Sequence, residues 1–186
     1  MNAERIAELE RWAHALRQQL PLHETIDIIK KRTSEASEED ACQLTHILIS
    51  MLIEARREVE AAQIINDKMR AMPNDVRFAI AKANLCLYFL DNPECALEAI
   101  DQALDRAHRS RSFRREALGV RARILLRLGR GEFLSRTLEE IMALQIAKGD
   151  PDIGIERDFV DRAPAGMIFE DVFARYNAFC PRSRTT

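Results

Sequence analysis

The chain has 186 residues, of which 47% are hydrophobic, 31% charged and only 6% aromatic, with 6 Gly and 6 Pro. This length is enough to bury a core, and the shortage of aromatic and turn-forming residues argues against an all-β, collagen-like or disordered chain. The 28 basic and 30 acidic residues give a net charge of -2, which disfavours a globally basic nucleic-acid binder. The composition therefore favours a helical protein.

Helical patterns begin at the N-terminus. Apolar residues three and four apart predict a first helix over residues 2–20, which Pro21 ends. A second helix is predicted over residues 23–33, and Ser37 is placed to cap a third that opens beside it. The second helix offers three isoleucines to a core: Ile26, Ile28 and Ile29.

The same rhythm of helix and short break continues to residue 147. Further helices are predicted over residues 58–71, 75–90, 93–107, 113–128 and 132–147. Asn92 is placed to cap the helix that starts at Pro93, and Gly129 suits a helix end that requires positive φ. Such short breaks favour antiparallel packing of neighbouring helices.

Equivalent positions recur at offsets of 34 and then 38 residues, a spacing typical of helix-pair repeats. One set lies early in the second helix of each pair and consists of Ala62, Ala96 and Leu134. The other set lies in the first helix, where two helices approach closely, and consists of Ser50, Asn84 and Ala122.

With these positions the chain resembles the tetratricopeptide (TPR) repeat family. One repeat is matched by Ala83, Leu87, the turn Asp91-Asn92-Pro93, Ala96, Ile100 and Ala103, and a second by Leu118, Ala122, Leu125, Gly129, Leu138 and Ile141. A third is matched by Leu52, Ala61 or Ala62, Ile65 and Pro73. The resemblance implies an all-α fold of antiparallel helix pairs stacked as a right-handed superhelix. An irregular helical bundle is the alternative.

The resemblance also implies a domain organisation. An N-terminal helical pair, residues 1–37, precedes three repeats at 38–74, 75–110 and 112–148, and residues 149–186 form a capping segment of the same continuous domain. In that segment Phe169, Phe173 and Tyr176 are spaced i, i+4 and i+7, with Val172 and Phe179 nearby. The aromatic helix is expected to cover the last repeat. The alternative is that it docks into a groove or forms a homodimer.

No motif for catalysis, a cofactor or a metal is found in the sequence. The Gly129-Arg130-Gly131 stretch lacks the strand and the further residues of a phosphate loop, so a helix turn explains it better. The histidines are dispersed, and the cysteines form no CxxC pair and are expected to be reduced. No apolar leader or membrane span is evident, so we expect a cytoplasmic, non-enzymatic protein.

The TPR resemblance implies an adaptor that binds another protein or peptide on a concave surface. The repeat register places Leu44, Ile47, Met51 and Glu54 on that surface, together with residues of the two later repeats. The candidate partner-binding residues are Phe78, Lys82, Leu85, Tyr88, Phe89, Arg123, Leu126, Arg127 and Arg130. The three arginines are spaced i, i+4 and i+7 and are suited to carboxylates, so an acidic or amphipathic partner is expected. Leu85 replaces the asparagine of the family's carboxylate clamp, which argues against that clamp.

A rival interpretation is nucleic-acid or anion binding through residues 106–130. This segment holds nine arginines and one acid, Glu116. It has only one aromatic residue, Phe113, so it offers no platform on which bases could stack. We therefore expect a protein partner rather than a nucleic acid.

Overall fold

The computed structural model describes residues 3–106, 111–144 and 157–180. The helices are α1 (Ala3–Gln19), α2 (Leu22–Glu35), α3 (Glu38–Glu54), α4 (Glu58–Ala71), α5 (Val76–Tyr88), α6 (Pro93–Arg106), α7 (Arg111–Arg127), α8 (Gly131–Ala143), α9 (Arg157–Val160) and α10 (Glu170–Phe179). No β-strand occurs in these ranges, so the all-helical prediction is confirmed there. Within the same ranges, no helix combines the length and the apolar character that crossing a bilayer requires.

Local signals in the sequence account for three of the helix ends. The Ser37 side chain accepts a hydrogen bond from the backbone N–H of Asp40, and Asn92 accepts one from the N–H of Cys95, as predicted for N-caps. Gly129 follows α7 with φ of 69°, the left-handed conformation predicted for it. The linker predicted at residues 109–112 is described only at its last two residues, which belong to α7. Helix α8 ends at Ala143, before the predicted residue 147, and the break at 150–151 lies outside the described residues.

Backbone contacts divide the chain into two compact units, Met1–Arg70 and Ala71–Thr186. In the first unit, α2 packs on α3, and α1 packs on both. Its core contains Leu9, Ile26, Ile29, Leu44 and Leu52, all essentially inaccessible. Ile28 was predicted to point inward, but it is 38% exposed because its neighbours Ile26 and Ile29 occupy the buried face of α2.

An ion pair joins α1 to α3 in the first unit. Arg5 donates hydrogen bonds to both carboxylate oxygens of Asp40, at 3.1 and 2.6 Å. These hydrogen bonds hold the pKa of Asp40 below its usual value and raise that of Arg5. A second pair, Arg17 with Glu54, joins the same two helices at 2.8 Å.

In the second unit, α5 and α6 form a helical hairpin, α6 packs on α7, and α7 packs on α8. The core of the hairpin uses the small side chains of Ala83, Ala96 and Ala103, which are completely buried. Small residues at these positions let two helix backbones approach closely. Helix α5 also packs on α7, so two of its faces are covered.

The C-terminal helix α10 packs on α8. Its inward residues are Val172 and Tyr176, which are buried, and Arg175 bonds Glu139 of α8 at 2.6 Å. Phe169 was grouped with Phe173 and Tyr176 in a single aromatic stripe. Phe169 is instead 51% exposed, because it precedes α10 and only its backbone N–H contacts α8, through the Ser135 hydroxyl.

Backbone packs closely on backbone at the start of α8. A side chain added at Gly131 would place its Cβ 2.1 Å from the carbonyl oxygen of Met167. Only a residue without a Cβ fits this position unless the chain shifts. Gly131 therefore allows the segment before α10 to lie directly against α8.

Six of the polar side-chain contacts between elements share nearly the same sequence separation. Arg5–Asp40 and Arg17–Glu54 span 35 and 37 residues. In the second unit the separations are 35, 36, 36 and 36 residues for Tyr88–Arg123, Asp91–Arg127, Glu94–Arg130 and Glu139–Arg175. Each of these contacts therefore joins a helix, or the turn after it, to a residue that lies about one helix pair further along the chain.

Cys86 near the end of α5 and Cys95 near the start of α6 form a disulfide, with their Cα atoms 6.0 Å apart. The expectation that all four cysteines are reduced is therefore wrong for this pair. The hairpin brings two residues that are 9 apart in sequence face to face, which the search for CxxC spacing could not detect. Cys42 and Cys180 are free and buried.

Candidate functional site

A cleft of about 180 Å³ opens in the second unit between α5, α7 and α9. We name it the Arg123 cleft, and it is lined by Leu87, Tyr88, Arg123, Leu126, Arg127 and Phe159. Four of these residues were among the predicted partner-binding set: Tyr88, Arg123, Leu126 and Arg127. The structure therefore brings residues from two predicted repeats together at one surface.

The two long helices place these side chains by their periodicity. Arg123, Leu126 and Arg127 share one face of α7, while Ile124 and Leu125 between them are buried. Near the end of α5, the Leu87 side chain is buried in the core. The residues that follow it are exposed. Tyr88, Phe89 and Leu90 follow with 49%, 42% and 48% exposure, so apolar surface continues beyond the cleft.

Arg123 is held by three contacts inside the cleft. Its Nη1 donates to the Tyr88 hydroxyl at 3.1 Å, and its Nε donates to the Gly119 carbonyl at 3.3 Å. Its guanidinium carbon also lies 5.4 Å from the centre of the Phe159 ring, within the range of a cation–π interaction. These contacts fix the orientation of a half-buried positive charge.

The other two arginines of the predicted row have carboxylate partners from the α5–α6 turn region. Arg127 lies 2.7 Å from Asp91, and Arg130 lies 2.8 Å from Glu94. Arg127 remains 62% exposed, so its pair is in contact with water and contributes little to stability. The predicted row of three equivalent arginines is thus divided into two paired residues and Arg123.

Two predicted partner-binding residues lie in the core instead of on a surface. Phe78 is fully buried and Leu85 is 2% exposed, because α5 is covered by α6 on one side and by α7 on another. The prediction that they face a groove is wrong. Lys82 is half-buried and Phe89 is exposed, and neither is among the residues that line the Arg123 cleft.

Phe159 was not selected from the sequence. It lies in the four-residue helix α9, which is too short to show a periodic pattern. It stands 36 residues after Arg123, the same separation that joins the polar pairs described above. That recurring separation is the signal by which a sequence search could have found it.

Three further arginines of the basic segment have described side chains, and they lie between helices or in the core. Arg121 pairs with Asp101 of α6 at 2.9 Å and with Glu140 of α8 at 3.6 Å, and Arg114 pairs with Glu140 at 3.0 Å. Arg115 is buried, with 2% exposure. These side chains therefore take part in packing between helices instead of forming one exposed basic face.

A second cleft, of about 390 Å³, lies in the first unit between α1 and α3. It is lined by Glu10, Ala13, His14, Arg17, Gln43, His46, Ile47, Ser50, Met51 and Glu54. Ile47, Met51 and Glu54 are three of the four first-repeat residues that the repeat register assigned to the concave surface. The fourth, Leu44, is instead fully buried in the core, so the prediction is wrong for it. Here Gln43 donates to Glu10 at 3.2 Å, and Arg17 pairs with Glu54, so the charged lining is largely satisfied internally.

No protein-family model, curated protein or solved structure matches this chain.

Proposed function

We propose that this chain is a non-catalytic scaffold that binds a peptide or helix of another protein at the Arg123 cleft. The observation that carries the proposal is the continuity of the cleft with the exposed row Tyr88, Phe89 and Leu90. Exposed apolar surface beside a concave site is typical of protein interaction surfaces. The cleft itself is smaller than most small-molecule sites, which favours a side chain of a larger partner.

A TPR-like arrangement is part of this proposal. Two observations support it: helix pairs of similar length follow one another, and polar contacts recur at separations of 35 to 37 residues in both units. In addition, Ile47, Met51 and Glu54 line one cleft and Arg123 another, as expected if the first helices of successive pairs form the binding surface. The domain boundaries, the homodimer and the cytoplasmic location stay predictions.

The nucleic-acid alternative gains no comparable support. Arg114, Arg121, Arg127 and Arg130 all have carboxylate partners, which reduces the field that would attract phosphates. Beyond the apolar row and the cleft, the described residues of the second unit expose two aromatic side chains, Phe133 and Phe169, and neither lies in the basic segment.

The proposal is tested by site-specific photo-crosslinking in cells that express the full chain. A photoreactive amino acid replaces Phe89, beside the cleft, or Phe133 of α8, which is similarly exposed at 47% and serves as the control. We expect a protein that crosslinks at position 89 and not at 133. Leu126→Glu should abolish that crosslink because it places a second charge in the apolar wall.

Two results would contradict the proposal. One is recovery of the same proteins from both positions, which indicates random encounter. The other is a crosslink at position 89 that persists unchanged in Leu126→Glu. Nuclease treatment before recovery separates a protein contact from one that depends on nucleic acid.

A further inference from the structure

Arg123 differs from Arg127 and Arg130 because its hydrogen-bond partners are uncharged. Arg127 and Arg130 each pair with an acid 36 residues earlier, Asp91 and Glu94. At the corresponding place Arg123 meets Tyr88, 35 residues earlier, and it forms no ion pair with any carboxylate among the described residues. Two arginines line the cleft, Arg123 and Arg127, and the row of arginine–acid pairs is interrupted at Arg123.

The contacts of Arg123 orient its guanidinium but do not neutralise it. The Tyr88 hydroxyl and the Gly119 carbonyl accept from Nη1 and Nε, and the Phe159 ring lies beside the group. None of these partners carries a negative charge. A half-buried guanidinium fixed in this way is prepared to donate a charge-assisted hydrogen bond to an anion that enters the cleft.

The size and lining of the cleft restrict what can accompany that anion. Its volume of about 180 Å³ holds one apolar side chain, and Leu87, Leu126 and Phe159 supply apolar walls. A ligand therefore needs an apolar group and a negative charge within a few ångströms of each other. The apolar row at Tyr88, Phe89 and Leu90 extends past the cleft, so the ligand continues as an apolar stretch of chain.

We propose that the Arg123 cleft recognises an apolar side chain next to an acidic side chain of a partner protein, with Arg123 as the carboxylate-binding residue. This inference rests on the proposed function and specifies the partner chemistry at the same site. The apolar group fills the space between Leu126 and Phe159, and the neighbouring carboxylate accepts from the Arg123 guanidinium. Arg127, which also lines the cleft, and Arg130 are paired with Asp91 and Glu94, so Arg123 is the arginine left to bind the carboxylate.

The test uses the ¹⁵N-labelled full chain and blocked dipeptides observed by NMR. The probe is N-acetyl-Phe-Glu-amide, and its neutral counterpart is N-acetyl-Phe-Gln-amide, which differs only in the charge. We expect weak binding, on the order of millimolar, with shifts in the Arg123 Nε–H signal and the amides around it. The Gln probe should bind about 5- to 10-fold more weakly because it lacks the charged acceptor.

Variants identify the residue responsible. Arg123→Gln should remove the preference for Glu over Gln, whereas the matched control Arg130→Gln should retain it. Arg123→Lys keeps the charge but loses the planar fork, so an intermediate preference is expected. Arg123 is only half-buried, and an unchanged circular dichroism melt verifies that each variant is folded.

Three outcomes would overturn the inference. The first is equal affinity for the Glu and Gln probes, and the second is an equal loss of preference in Arg123→Gln and Arg130→Gln. The third is stronger binding of N-acetyl-Gln-Phe with a free C-terminus, which would assign the site to a chain terminus. If any of these occurs while the crosslink at position 89 is specific, the proposed function stands and only the acidic–apolar partner is rejected.

Discussion

Gly131→Ala is expected to destabilise the protein, although a Gly-to-Ala change at the start of a helix usually stabilises. The usual gain is about 0.4–1 kcal/mol, because alanine restricts the unfolded chain. Here the new Cβ would lie 2.1 Å from the Met167 carbonyl oxygen, so backbone must move by about 1 Å to reach normal contact. Overpacking of this kind costs about 1–3 kcal/mol, so a net loss of roughly 1–2 kcal/mol is expected.

The assay is urea unfolding followed by circular dichroism, together with hydrogen exchange over residues 163–169. Gly131→Ala should lower the unfolding midpoint and increase exchange in that segment. Gly129→Ala is the control, because its Cβ would meet open space while its positive φ of 69° costs about 1–2 kcal/mol. The control should lower the midpoint without affecting exchange at 163–169. A Gly131→Ala protein as stable as the wild type would refute the reasoning.

Three further predictions concern stability. Asp40→Asn should destabilise at pH 7, and its difference from wild type in urea unfolding should shrink as the pH falls below about 4, because an Asp with a lowered pKa stabilises only while it is ionised. Reduction of Cys86–Cys95 should cost about 2–3 kcal/mol in thermal unfolding, and Cys95→Ser should make the melt insensitive to reductant. Tyr176→Ala should cost about 3–5 kcal/mol in urea unfolding, whereas half-buried Phe173→Ala should cost clearly less.

Helix positions could be read from the sequence because the signals that fix helix ends are local. Ser37 and Asn92 bond to backbone groups three residues away, and Gly129 needs only its own φ. None of these three signals depends on how helices distant in the sequence pack together. The same reason explains why the turn at 129–131 was interpreted correctly as a turn between helices.

Which face of a helix is buried could not be read in the same way. A periodic pattern shows that α5 is apolar, but burial of both Phe78 and Leu85 follows from contact with α6 on one side and α7 on another. In α10 the choice between Phe169 and Val172 as the inward residue also depends on the neighbouring helix. Such choices are made by tertiary packing, which a single-helix pattern does not contain.

In the candidate site, too, some features follow from local sequence patterns and others from tertiary packing. Arg123, Leu126 and Arg127 could be selected because their spacing places them on one helix face. Arg127 has an acid partner, whereas Arg123 has none among the residues that the structure describes. This difference depends on Asp91 and Tyr88, which precede them by 36 and 35 residues. Spacing identifies the arginines, but only the pairing distinguishes them.

The regular separation of the polar contacts bears on how the chain folds. Six of the interhelix contacts described above close loops of 35 to 37 residues, so these six closures have nearly the same entropic cost. None of these pairs requires the two ends of the chain to meet. A helix pair leaving the ribosome therefore needs only the next pair to be synthesised before its polar partners are within reach, and assembly can advance in steps of equal length.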